Sequence, residues 1–217
     1  FEKTLYLSLH CLIISRLLQS GIERSEVHKY YESLMALLKN NNLEKLFQGM
    51  DKEIKIDPAT PFFVIFFLYH YHLHHDKGDQ VLASLEIILQ ILELIRKNKL
   101  IFYRLKSNKL LERQYRKSDL EPKSDYEIFY PLRQNFILNI FWYNALEMVL
   151  QLADLKKIRV KRCHRWIKKI KQRFYHQYVR GLIANPQHAN EKFGFAFHPS
   201  MIYALTFPFP LLEEKPA

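Results

Sequence analysis

Glycine is nearly missing from this 217-residue sequence: there are five, each standing alone. That scarcity argues against glycine-rich loops whose backbone amides cradle phosphates, and against an all-β chain of tight turns. Cysteine is scarcer still. Cys11 and Cys163 form neither a CxxC pair nor a zinc-ligand spacing. No metal or other cofactor is expected, and a reduced, cytoplasmic protein is the simpler inference. A membrane span, which needs about 20 apolar residues, is not expected either. "PFFVIFFLYHYHL" is too short, and the stretch 81–95 carries Glu86 and Glu93. "LYLSLHCLIISRLL" follows Glu2 and Lys3 and precedes no small-residue cleavage site, so it does not read as a secretory signal. The first residue is Phe1, from which a chain truncated at its N-terminal end is expected.

What is present is an ordinary globular composition, 48% hydrophobic and 25% charged, long enough for one domain with a sizeable core. The formal charge is +11. Lys and Arg are densest in "KKIRVKRCHRWIKKIKQR", residues 156–173. A basic helix here suits phosphates or an anionic surface. The plainer reading, a solvated face, is the better one, because Val160, Cys163, Trp166, Ile167 and Ile170 keep an apolar stripe at helical spacing.

Hydrophobic periodicity predicts an all-α chain of paired antiparallel helices. Leu5, Leu9, Leu12, Ile13 and Leu17 predict a helix over 3–19. Ser25 opens a second, to about Leu38, and 43–56 reads as loop with a short helix. Asp57-Pro58 predicts a start by N-cap and first-position proline, for a helix to about His75. "DKGDQ" turns the chain, and Asp79 caps a helix to about Lys97, giving an αα-hairpin. "LIFYRL" reads as a short strand or extended loop, and 106–131 as irregular. A very apolar helix follows over 132–153, then the basic helix to about Val179. "SMIYALTF" predicts a last helix that ends at Pro208.

Several residues are candidates for chemistry. "HYHLHHD" places His70 and His74 one helical turn apart, the spacing of two metal ligands on one helix. Without an adjacent glutamate, however, histidines at a helix end are better explained by the macrodipole and free carbonyls. Asp57, Asp119, Asp125, Glu127 and Glu191 fall at element ends or in loops, where a carboxylate pair could work on a glycosidic bond. Phe62, Phe63, Tyr69, Tyr71, Trp142 and Tyr143 suit either sugar stacking or helix–helix core. Most unusual is "NFILNIFWYNALEMVLQLADL", which sets Asn139 and Asn144 around Trp142 and Tyr143 inside an apolar helix. Two amides and an indole there either tie a neighbouring loop down or line a polar pocket.

Three segments, in order, resemble one family. "IDPATPFFVIFFLYHYHLHHDKGD", the WYNAL-containing helix and "FHPSMIYALTFPFPLL" resemble stretches of the C-terminal amylo-α-1,6-glucosidase domain of glycogen debranching enzymes, whose counterparts to the last two read "VEINALWYNAL" and "RPNQIFALSLPFPLL". The resemblance covers about residues 50–212. It implies an (α/α)6-barrel-like fold and an α-glucan or oligosaccharide as ligand. Asp57, Asn139, Trp142, Asn144 and His198 match positions expected to contact sugar. The family's acid motif, "TWMDA", falls near "RKSDL", which makes Asp119 the acid candidate and Asp125 the alternative. No residue is assigned as base; Glu191 is a loop carboxylate in a suitable place.

The departures from the family weaken the expected chemistry. The family's glutamate in "VEIN" is Ile137 here, its arginine in "RPNQ" is His198, and Lys117 and Ser118 replace the Trp and Met before its aspartate. A nearby cation favours the ionised carboxylate, the wrong direction for a general acid. A glucan-binding domain with hydrolysis weak or lost is therefore expected. An active α-1,6-glucosidase is one alternative, and a non-enzymatic basic scaffold for an acidic protein or RNA is the other. Twelve helices need well over 217 residues. A partial barrel is expected, whose exposed apolar wall favours a protein partner or a second copy of the chain.

Overall fold

Apolar side chains three and four residues apart organise most of the chain into helices, as the periodicity predicts. The structure is a computed structural model. It describes residues 5–6, 11, 24–48, 54–55, 58–75, 78–100, 103–114, 130–174 and 207–211, and the chain divides into two units. One unit contains Phe1–Ile101 and Met148–Val160, the other Phe102–Glu147 and Lys161–Ala217. Phe207 lies in a bend rather than in the expected final helix, the rest of which is outside the described residues.

In the first unit, α1 (Arg24–Asn40) buries Val27, Tyr31, Leu34, Met35 and Leu38. The short α2 (Leu43–Phe47) is capped by Asn42, whose side chain accepts from the Lys45 amide at 3.1 Å. Then come α3 (Thr60–His74) and α4 (Gly78–Arg96). They run antiparallel, with His72 facing Ser84 and Tyr71 facing Gln80 on either side of their connection. α4 buries one stripe, including Val81, Leu85, Ile88, Leu92 and Ile95. α3 is buried nearly all round: of its 15 residues, only Phe63, Leu73 and His74 escape burial. A helix apolar on every side belongs in an interior, and α3 is the centre of this unit.

Two boundaries differ from expectation. α3 begins at Thr60, with Ala59 at the N-cap and Pro61 in the first turn, not at Asp57-Pro58. "DPATP" contains two prolines, and the second takes the position where a missing amide costs nothing. The expected helix over 3–19 is replaced at Leu5–Tyr6 by β1, which pairs in parallel with β2 (Ile54–Lys55). A distant strand supplies that ladder, and no local periodicity announces it. Cys11 is helical; the rest of 3–19 is not described.

The second unit holds β3 (Tyr103–Leu105) and β4 (Leu111–Arg113), an antiparallel hairpin with Leu105 opposite Leu111. The extended reading of "LIFYRL" agrees with β3, whereas β4 falls where irregular chain was expected. α5 (Tyr130–Leu155), 26 residues and about 39 Å long, contributes its residues through Glu147 to this unit and the remainder to the first. α6 (Lys161–Phe174) buries Cys163, Trp166, Ile167, Ile170 and Phe174. The residues that would extend it to 179 are not described.

Candidate functional site

The side chains that stood out in the sequence are held by α5. Asn139 is wholly buried. Its Oδ1 accepts from the Leu111 amide at 2.7 Å, and its Nδ2 donates to the Leu111 carbonyl at 2.8 Å. One amide side chain thus closes a reciprocal pair with the backbone of β4. Trp142, one turn on and equally buried, donates Nε1–H to the Lys109 carbonyl at 3.2 Å. Lys109 has φ 71, a left-handed conformation costly for a residue with a Cβ. Trp142 also packs against Trp166 of α6, with ring centroids 5.7 Å apart.

Asn144 lies on another side of α5. It donates to the Ile140 carbonyl of its own helix at 3.1 Å and accepts from the Phe209 amide at 3.0 Å. Phe141, one turn before it, meets Phe207 at 5.5 Å. Helical geometry brings Ile137 to the same face as Phe141 and Asn144. Ile137 is half-buried and stands where the debranching family has glutamate. So α5 carries two pairs at i, i+3. Asn139 with Trp142 holds the β3–β4 hairpin, and Phe141 with Asn144 holds residues 207–209.

Asn139, Trp142 and Asn144, expected to contact sugar, have no exposed surface, and the hydrogen bonds described run to backbone. Of the two tasks that the sequence allowed them, tying segments down is the one performed. Buried polar groups are stable only when bonded, and backbone groups of Lys109, Leu111 and Phe209, in two segments, are what these side chains satisfy. Asp57, Asp119, Asp125, Glu127, Glu191 and His198 lie outside the described residues.

Aromatic candidates of α3 also work inside the fold. Tyr71 stacks on Tyr31 at 4.0 Å and on His75 at 4.6 Å, with the ring planes nearly parallel in both. Its hydroxyl meets His28 Nδ1 at 2.5 Å. Tyr31 in turn bonds Ser84 at 3.1 Å, and His72 Nε2 meets the same hydroxyl at 2.8 Å. Burial pushes the Tyr71 phenol up to about 12, helped by nearby Tyr31 and Glu32. Sequence reasoning had no signal for this ring stack, because Tyr31 and Tyr71 are on different helices. His75 Nδ1 bonds the Tyr71 carbonyl at 3.2 Å, the use that a histidine finds at a helix end. His70 is buried and edges Tyr69, whereas His74 is exposed. Among the described residues no group of three or more metal-ligating side chains converges.

An open groove of about 850 Å³ lies in the first unit between α1, α2 and α4. Asn41, Asn42, Gln90, Glu44, Glu86 and Glu93 give it amides and carboxylates over a leucine-rich floor. Hydrogen bonds from Arg96, reinforced by Lys97, hold Glu93 at about 2. A general acid for glycoside cleavage needs the opposite shift.

Fold and side-chain chemistry together define a mostly helical protein whose most unusual polar side chains clamp loops. Among the described residues Phe136–Leu155 is long and apolar enough to cross a membrane, but 78% of that window is buried inside the protein, so no clear span is present. Comparison with family models, with curated proteins and with solved structures gives no match.

Proposed function

We propose that the chain is a glycogen-debranching-enzyme-like domain, a partial (α/α)6 barrel of paired helices that binds α-glucan with α-1,6-glucosidase activity weak or lost. The observation that carries this reading is the bond from the Phe209 amide to Asn144, with the Phe141–Phe207 contact beside it. WYNAL and the PFPLL end are two strings far apart in sequence that resemble the same family, and in space they hold each other. In this reading Asn139, Trp142 and Asn144 position loops, and sugar contact falls to Asp57 and His198. Asp119 or Asp125 retains whatever acid function survives. Ile137 in place of glutamate removes a carboxylate from a half-buried helix face, and with it part of the field that would stabilise an oxocarbenium-like transition state.

Retention of the full chain on immobilised glycogen, with release by soluble maltooligosaccharide, tests the reading. Retention is expected, weaker in His198→Ala and stronger in Ile137→Glu. Glucose release from a limit dextrin should be slow, and slower again in Asp119→Asn. A chain that passes through the glycogen column unretarded at low salt overturns the glucan reading.

A further inference from the structure

We propose that the exposed face of α6 binds duplex RNA through its phosphate backbone, without reading base sequence. This goes beyond the glucan reading and does not depend on it. Between residues 155 and 190 lie eleven of the chain's 33 Lys and Arg and none of its 22 Asp and Glu. That segment therefore carries the whole net charge of +11, and the 22 other basic residues balance the 22 acidic ones. α6 is the described core of this segment. Lys161, Arg165, Lys168, Lys169 and Arg173 are exposed, and none has an ion-pair partner among the described residues. They recur along the helix at about one-turn spacing, so the charge forms a stripe about 20 Å long.

The burial pattern separates the candidate partners. A membrane-surface helix, or one that docks in a partner's groove, must offer its apolar face. Here Trp166, Ile167 and Ile170 are already buried. A protein–protein interface needs an apolar or aromatic centre and is depleted in lysine. The exposed residues of α6 are Lys, Arg, His and Gln, with no apolar side chain among them. What remains is a charged ridge that suits a linear polyanion, which a duplex supplies at one charge per about 1.7 Å. α6 need enter no groove to meet phosphate rows, which A-form RNA brings closer together across its major groove than B-form DNA does. It can lie across the phosphate rows that border the narrow major groove of A-form RNA.

Fluorescence anisotropy with a labelled RNA duplex of random sequence, at 50 to 300 mM salt, tests this in the full chain. Binding independent of sequence is expected, with affinity falling as about the third to fourth power of salt concentration if four cations each meet a phosphate. The variant Lys161→Glu/Arg165→Glu/Lys168→Glu/Lys169→Glu should lose at least tenfold in affinity and most of the salt dependence. Its glycogen retention and helical circular dichroism should be unchanged, because these side chains are exposed. The Gln version of the same four should weaken binding by less, and a misfolded Glu variant leaves this version as the decisive one. The proposal is overturned by an absence of binding at 50 mM salt, by unchanged affinity in the Gln variant, or by equal affinity for duplex DNA. Equal competition by polyglutamate, or tighter attachment to anionic vesicles, overturns it in favour of an acidic protein or a membrane surface.

Discussion

Asn139 illustrates how much one amide can hold. Its two ends satisfy both backbone groups of Leu111, deep in the protein. Removing the side chain leaves a buried donor and a buried acceptor without those bonds, and each such loss costs about 1–3 kcal/mol. Asn139→Ala should therefore lower the unfolding free energy by about 2–4 kcal/mol and speed hydrogen exchange at the Leu111 amide. A loss below about 0.5 kcal/mol in a denaturant titration would show that the clamp bears little. Trp142 separates two contributions in the same region. Trp142→Phe keeps most of the ring packing and loses the bond to Lys109, at about 1 kcal/mol; Trp142→Ala also empties the space against Trp166 and should cost about 3–5 kcal/mol. The sequence showed that these residues were out of place in an apolar helix, and it named the two tasks open to them. It did not show which backbone they met, since Leu111 and Phe209 are 28 and 65 residues away.

At the scale of elements, scarcity of glycine returns as a structural problem. α4 and α5 both end with a bond reaching back five residues, from Lys99 to Leu94 and from Ile158 to Ala153. Such endings need a left-handed residue, usually glycine. Here Asn98 and Lys157 take that conformation, with φ 54 and φ 55. Asparagine tolerates it; lysine does so at a cost of about 1–2 kcal/mol, partly offset because glycine is freer in the unfolded chain. Lys157→Gly should thus stabilise the protein by about 0.5–1 kcal/mol, read as a rise in thermal midpoint, whereas Lys157→Val should lower it. A fall for the glycine variant would mean that the terminus is held by something other than backbone conformation. The helices themselves were legible because their periodicity is local. The strands were less so: β1 and β4 are short, β1 pairs with a parallel strand far along the chain, and β4 is clamped from α5. Isolated two-stranded ladders have little stability of their own, so local sequence carries little of their signal.

For the whole molecule, burial of weak acids sets an alkaline limit on stability. Desolvation pushes the Cys11 thiol up to about 12 and the Cys163 thiol to about 11, from an ordinary value of 9.0. Tyr71, also displaced to about 12 from 10.0, acts in the same direction. In each case the folded state holds its proton more tightly than the unfolded chain does. The sign follows: their contribution is complete below pH 9 and is lost as pH rises from about 9 toward 12, where the unfolded chain releases protons that the folded one keeps. Denaturant midpoints should be flat with respect to these groups between pH 7 and 8.5 and fall steadily above pH 9. Both thiols are buried, so a thiol reagent should label them slowly in the native protein and fast in denaturant. Rapid native labelling at pH 8 would contradict the burial of both.

By itself, the sequence determined that the chain is mainly helical, that a helix ends near His75 and turns into a second one, and that charge gathers on one basic helix. Each follows from patterns that repeat within a few residues, where side-chain spacing alone decides which face is wet. Only the tertiary structure decided what the buried amides and indole do, and where the tyrosines of α1 and α3 stack. Those answers depend on backbone groups and rings brought together from distant parts of the chain. A hydrogen bond has a direction and a length that no one-dimensional pattern contains.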